Sequence, residues 1–167
     1  MNATVVIGLG NPLMSDEGIG IHELRALAAR PRDLPGVDLV DAGTSGMSVL
    51  HAMANRQKAI LVDCAFMGEA PGRVRRFTPD KVSSRKTLAG LSLHEGDLWQ
   101  VIELSRKLGE YPGEVVIFGI EPERVCPGED LSEVLRERLP EYAERVRAEA
   151  TQQVRPSRSG VGDESAD

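Results

Sequence analysis

Acidic side chains and one histidine carry the chemistry this sequence offers. The segment Gly8-Leu9-Gly10-Asn11-Pro12-Leu13-Met14-Ser15-Asp16-Glu17-Gly18-Ile19-Gly20 closes an apolar run and opens a helix, with two acids in or just before its first turn. A glycine-rich turn in that position usually welcomes phosphate, but paired acids repel anions and attract cations. Asp41 and Asp63 each end a further apolar run, and His94 stands at the start of a later helix. If the strands are parallel, Glu17, Asp41 and Asp63 lie on one sheet edge, where open α/β sheets bind ligands. A helix N-terminus disfavours the imidazolium, so His94 is expected to stay neutral and able to coordinate a metal. Two carboxylates and an imidazole make an open, thiol-free site for a divalent transition metal, with positions left for water or substrate.

Each residue also has a plainer role. Asp16 and Glu17 can complement the helix dipole, worth a few tenths to about 1 kcal/mol. Asp41 can fold back onto the amides of Gly43 and Thr44. A histidine at a helix start needs no ligand. Asp63 is different, because a carboxylate closing a buried apolar strand requires a partner. His22 and His51 fall in expected helices without an acidic strand-end neighbour and read as surface or core residues. Cys64 and Cys126 lie far apart, and Cys64 reads as a small buried residue rather than a nucleophile.

The elements that must position these groups follow from hydrophobic spacing. Strands are expected at Thr4 to Leu9, Val37 to Val40, Ala59 to Val62, Val74 to Phe77 (an arginine-rich edge strand) and Glu114 to Ile120. A helix is expected from Gly18 to Ala29 with Ser15 as its cap, and a short one near Met47 to Ala54. Thr78 to Gly90 reads as a loop able to cover a site. Ser92-Leu93-His94-Glu95 has the capping-box pattern, ahead of a helix with Leu98, Val101, Ile102, Ser105 and Leu108 along one face. A last helix starts near Leu131 and should be kinked or split by Pro140. The expectation is a single three-layer α/β/α domain over residues 1–150, with a mostly parallel five-stranded sheet. Residues 151–167, poor in apolar side chains, read as a disordered tail.

Composition narrows the class. With 41% hydrophobic but only 4% aromatic residues among 167, the core must be built of Val, Ile, Leu and Ala. No apolar stretch reaches the length of a membrane span, and the first strand follows Met1 too closely for a signal peptide. A net charge of −6 argues against a nucleic-acid partner. A cytoplasmic monomer is expected.

The opening block, Asp41-Ala42-Gly43-Thr44-Ser45-Gly46-Met47, Val62-Asp63, Ser92-Leu93-His94 and Gly119-Ile120-Glu121-Pro122 together resemble the nickel-iron hydrogenase maturation proteases. The resemblance implies an endopeptidase that removes a C-terminal extension from the hydrogenase large-subunit precursor after nickel insertion. It implies that Glu17, Asp63 and His94 bind metal, and that Asp41 serves substrate recognition or the cleavage step, so that Asp41, Glu17 and Asp63 form the catalytic group. Nickel would be that of the precursor, bridged by both proteins rather than held permanently. Two other readings compete. The same ligands would serve a non-enzymatic nickel-binding maturation chaperone. Gly8-Leu9-Gly10-Asn11-Pro12 also resembles the opening of peptidyl-tRNA hydrolases, although the histidine-asparagine pair of that family does not follow. A dinucleotide fingerprint would need a glycine at Leu13.

Overall fold

Val5, Val6, Ile7 and Leu9 give the first strand apolar side chains on both faces, which only a strand covered on both sides can bury. The computed structural model describes residues 1–80, 88, 90, 91 and 98–152, and shows that arrangement. The elements are β1 (Thr4–Leu9), α1 (Ile19–Ala28), β2 (Val37–Gly43), α2 (Gly46–Met53), β3 (Lys58–Cys64), β4 (Val74–Phe77), α3 (Leu98–Lys107), β5 (Glu114–Ile120) and α4 (Glu133–Thr151). The sheet order is β2-β1-β3-β5-β4, with β4 the antiparallel edge strand and the other four parallel. Alternate residues feed two cores. Val6, Ile60, Val62 and Val116 pack with Leu24 and Leu27 of α1 and Leu135, Tyr142 and Val146 of α4. Val5, Ile7, Leu61 and Ile117 pack with Val49 and Met53 of α2 and Leu98 and Ile102 of α3. Each such side chain contributes about 1.5–3 kcal/mol on burial.

From β1 the chain moves outward to β2, then crosses back to β3 on the other side of β1. The carboxyl ends of β1 and β3 therefore form a topological switch point, where an α/β sheet leaves a crevice. Among the described residues no helix is long and apolar enough to cross a membrane.

Several local expectations are corrected. Ser15 does not cap a helix: it begins a 3-10 turn, Ser15–Gly18, that leads into α1. Its N–H donates to the carbonyl of Gly128 at 2.8 Å, its φ is 51°, and its hydroxyl donates to the carbonyl of Cys126 at 3.1 Å. Pairing with a distant loop has claimed the residue. Asp41 and Asp63 lie within β2 and β3 rather than after them, because both strands run further than their apolar cores. Helix α4 runs unbroken past Pro140. Proline costs about 3 kcal/mol in a helix interior, and burial of Leu135 before it and Tyr142, Ala143 and Val146 after it outweighs that. The capping box of Ser92 and Glu95, His94 itself and residues 153–167 lie outside the described residues.

Candidate active site

Two glycines bring the site together. Gly10 has φ 119°, and a Cβ built there would lie 1.9 Å from the carbonyl oxygen of Glu17 and 3.6 Å from Oδ1 of Asp63. Only glycine lets the chain leaving β1 press against both acidic residues. At Gly20 a Cβ would lie 2.3 Å from the carbonyl of Val62 and 2.4 Å from that of Leu9. The first turn of α1 thus rests directly on the ends of β1 and β3, and the 3-10 turn that bears Glu17 leads into it at that edge. Glu17 is 6% exposed and Asp63 1%. Asp63 Oδ1 accepts the N–H of Cys64 at 2.8 Å.

The neighbouring acid has a different task. Asp16 is fully buried, and its carboxylate accepts the N–H groups of Glu123 and Arg124 at 2.9 Å each and of Ser132 at 2.7 Å. Charge-assisted bonds of this kind are roughly twice as strong as neutral ones. Asp16 therefore ties the connection between β5 and α4 down beside the crevice. Glu121, next after β5, performs a similar service: its Oε2 accepts the N–H of Met67 at 2.6 Å, while its backbone pairs with Gly72 and Arg73. In the sequence Glu121 stands out only as part of the block Gly119-Ile120-Glu121-Pro122, with no role of its own. Its signal was that of Asp63, an acid closing a wholly apolar strand.

Burial, and then the charges of Asp63, Glu17, Asp16 and Glu121, push the Cys64 thiol far above the usual thiol range. The thiol stays protonated at neutral pH and serves as packing, not as a nucleophile. Four acids, Asp63, Glu17, Asp16 and Glu121, thus act on the Cys64 sulfur from this edge. Such a cluster attracts a cation, and buried oxygen donors suit a divalent one. Among the described residues no three His, Cys, Asp or Glu side chains are grouped closely enough to hold a metal. Glu17 and Asp63, two of the expected donors, are buried at this edge; His94, the third, lies outside the described residues.

Asp41 does not join them. It is exposed, and its Oδ1 accepts the N–H of Gly43 at 2.9 Å, the local turn expected of it. Gly8 is in register with both Asp41 and Val62, which sets Asp41 two strand spacings, about 10 Å, from β3. That register also puts Asp41 on the α1 face of the sheet, whereas Asp63, one residue beyond Val62, belongs to the other face. His51 is exposed on α2, and burial, with Arg25 adding to it, lowers the His22 imidazole pKa.

The chain is similar to known proteins in sequence and fold. The hydrogenase 2 maturation protease of Escherichia coli (strain K12) is 32% identical over 145 residues, which is 86% of this chain and 88% of that one. The hydrogenase expression/formation protein HoxM of Cupriavidus necator is 32% identical over 121 residues, 72% of this chain but 60% of its own length. The solved hydrogenase maturating endopeptidase HybD from E. coli superposes with a TM-score of 0.72 at 29% identity, covering 87% of this chain and 90% of that one. The family model for hydrogenase maturation proteases, HycI, matches residues 21–149, from α1 nearly to the end of α4, and with it this chain belongs to the hydrogenase maturation protease family.

Proposed function

We propose that this protein is an endopeptidase that removes the C-terminal extension of a nickel-iron hydrogenase large-subunit precursor once nickel has been inserted. The observation that carries this reading is a pair of buried acids in a member of this family, Glu17, whose backbone carbonyl meets Gly10, and Asp63, whose carboxylate does. Glu17 and Asp63, with His94 as third donor, would hold a divalent ion. In the precursor that ion is nickel, so the metal is part of the substrate. A ligand set this small binds a free ion weakly, and is suited to share one already fixed in another protein. Cleavage is then tied to successful loading.

Hydrolysis requires that water add to the scissile carbonyl, that its proton be taken up, and that the leaving amine be protonated. A carboxylate within reach of the water accepts the proton and can return it to the amine. In this reading Glu17 and Asp63 take that part. Asp41, exposed on the edge strand β2, would meet the client chain. The same reading includes action as a monomer in the cytoplasm and no nucleic-acid partner.

The test mixes purified enzyme with precursor made with and without nickel and follows the released C-terminal peptide by mass. Cleavage of the loaded form alone, lost in His94→Ala and Asp63→Asn with normal folding, is the expected result. Equal cleavage of both forms would overturn the dependence on nickel. Nickel uptake with no released peptide would instead make the protein a carrier.

A further inference from the structure

The arginines of the edge strand β4 take no part in the candidate active site. Beside that strand lies a cavity of about 340 Å³ lined by Arg73, Val74, Arg75, Arg138 and Arg145. Four guanidinium side chains, two from β4 and its approach and two from α4, therefore border one space. Arg76 is turned to Glu149 instead and does not join them. Among the described residues only two carboxylates lie within ion-pair distance of the four, Glu69 beside Arg73 and Arg75, and Glu141 beside Arg138 and Arg145. Two positive charges are left over, a local exception on a chain whose net charge is −6. Arg73 stands 3.5 Å from Glu69 and Arg145 3.9 Å from Glu141, beyond the usual reach of a charge-assisted hydrogen bond, about 2.7–2.9 Å. Both side chains are half or more exposed, at 61% and 50%.

The floor of the cavity is fixed in advance. Arg138 Nη1 donates to the carbonyl of Gly72 at 2.6 Å, and its Nε and Nη2 donate to the two oxygens of Glu141 at 3.0 and 3.1 Å. Its guanidinium carbon lies 5.6 Å from the ring centre of Tyr142, whose hydroxyl donates to the same Gly72 carbonyl at 2.6 Å. Gly72 has φ 85°, and a Cβ there would lie 2.8 Å from Val134 Cγ1, so only glycine lets α4 approach the turn before β4 this closely. Arg75 Nε donates to Glu69 at 2.6 Å. The planar fork of Arg138 on Glu141 shows the form of recognition that this cluster suits, a carboxylate held by paired N–H groups.

We propose that β4 and this arginine cluster form a docking surface for an extended acidic segment of a partner polypeptide, which adds as a strand to the sheet edge and sets its carboxylates on Arg73, Arg75 and Arg145. The proposal goes beyond the endopeptidase reading and does not rest on it. Two observations select the occupant. Among the described residues β4 has one strand neighbour, β5, and alternate residues of such a strand turn their N–H and C=O groups away from it. An extended peptide meets those groups, and a small anion does not. Charge on an edge strand ordinarily keeps other strands from pairing there, and here the excess is of one sign. A basic or neutral strand would bury guanidinium groups without partners, whereas an acidic strand supplies them. Gly119 is in register with Asp63 on one side and Arg75 on the other, which sets the surface two strand spacings, about 10 Å, from the candidate site.

The experiment follows binding of a short fluorescent peptide of alternating Glu and Val to the full chain by anisotropy at low salt. Its companions are the same peptide with Lys in place of Glu, and the Glu peptide with N-methylated amides. The acidic peptide should bind and its two companions should not. Arg73→Gln, Arg75→Gln and Arg145→Gln should each raise Kd by roughly threefold to tenfold, with Tm near its starting value. Arg32→Gln, which removes the same charge from an exposed position ahead of the opposite edge strand, should leave Kd unchanged. Failure of the acidic peptide to bind, or an equal increase of Kd in Arg32→Gln, would overturn the proposal. Equal binding of the N-methylated peptide, or its displacement together with the acidic one by inorganic phosphate, would leave an anion site without strand addition and overturn it as stated. A fall in Tm in Arg75→Gln with Kd unchanged would make the cluster an internal tie for Glu69. Sedimentation showing a dimer that Arg75→Gln dissociates would assign the edge to a second copy of the chain, and either result also overturns the proposal.

Discussion

Lys58 and Asp63 stand near opposite ends of β3, each only 1% exposed, and the fold accommodates their charges in opposite ways. At the start of the strand charge is met by charge. Lys58 Nζ lies 2.8 Å from Glu149 and 3.4 Å from Glu114, and Arg76 donates to both oxygens of Glu149 at 2.8 and 3.0 Å. Near the other end acid is gathered upon acid. Among the described residues, backbone amides bind these acids: the Cys64 amide for Asp63, the Met67 amide for Glu121, and three amides for Asp16. Amide dipoles stabilise a carboxylate without cancelling its charge. Among the described residues, opposite charges meet at one end of the strand, and acids meet backbone amides near the other.

The sharpest way to break this contrast is to neutralise one acid at each end. Glu149→Gln leaves Lys58 and Arg76 short of a buried partner and should cost about 3–5 kcal/mol in urea denaturation at neutral pH. Asp63→Asn should leave stability unchanged or raised, since it relieves repulsion among like charges, while peptide release collapses. Comparable stability losses at both ends would erase the distinction. The pH dependence is a further check. The Arg76 guanidinium, assisted by the Lys58 ammonium and opposed by burial, holds the Glu149 carboxyl down at about 2. An acid whose native pKa is depressed contributes stability above its unfolded value, near 4.5, and loses it as pH falls toward 2. The gap between wild type and Glu149→Gln should therefore shrink across that window.

A smaller effect is expected from Asp16→Ala, which strands three amide donors at once and should cost about 2–4 kcal/mol. Asp16→Asn keeps one acceptor oxygen and should recover part of it. Cleavage should fall in both, because the connection between β5 and α4 beside the crevice loosens. The smallest effect sharpens the comparison with an acid that has neither solution. Glu23 on α1 has no exposed surface, and neither carboxyl oxygen has a hydrogen-bond partner among the described residues. Burial, with Arg147 pulling the other way, pushes its pKa up to about 8. Between pH 4.5 and 8 the native state then holds a proton that the unfolded chain has released, so stability falls as pH rises. Glu23→Gln should be more stable than wild type by about 1–3 kcal/mol at pH 8, and the advantage should be smaller at pH 5. A pH-independent difference in thermal melting would show that the native carboxyl does not titrate in this range.

Much of the architecture was legible locally. The apolar runs of β1, β3 and β5 and the alternation of strand and helix determined a parallel sheet covered on both faces, because a strand without a polar face has no other stable place. The expense of burying an acid singled out Asp63, and the glycine-rich opening placed Glu17 at the same edge. Pro140 shows the limit of local rules: its propensity is intrinsic, but the flanking residues that hold α4 together act through distant partners. The division of labour within Asp16-Glu17 was hidden for the same reason. Asp16 is bound to the amides of Glu123, Arg124 and Ser132, more than a hundred residues away, and no periodicity records an acceptor for so remote a donor. Asp41 carried the same strand-end signature as Asp63, and only the register across β1 set the two on opposite faces. Sequence alone determined which side chains could do chemistry and which elements would carry them. Tertiary structure decided which were joined, because long-range hydrogen bonds and strand order are properties of the assembled sheet and of no single segment.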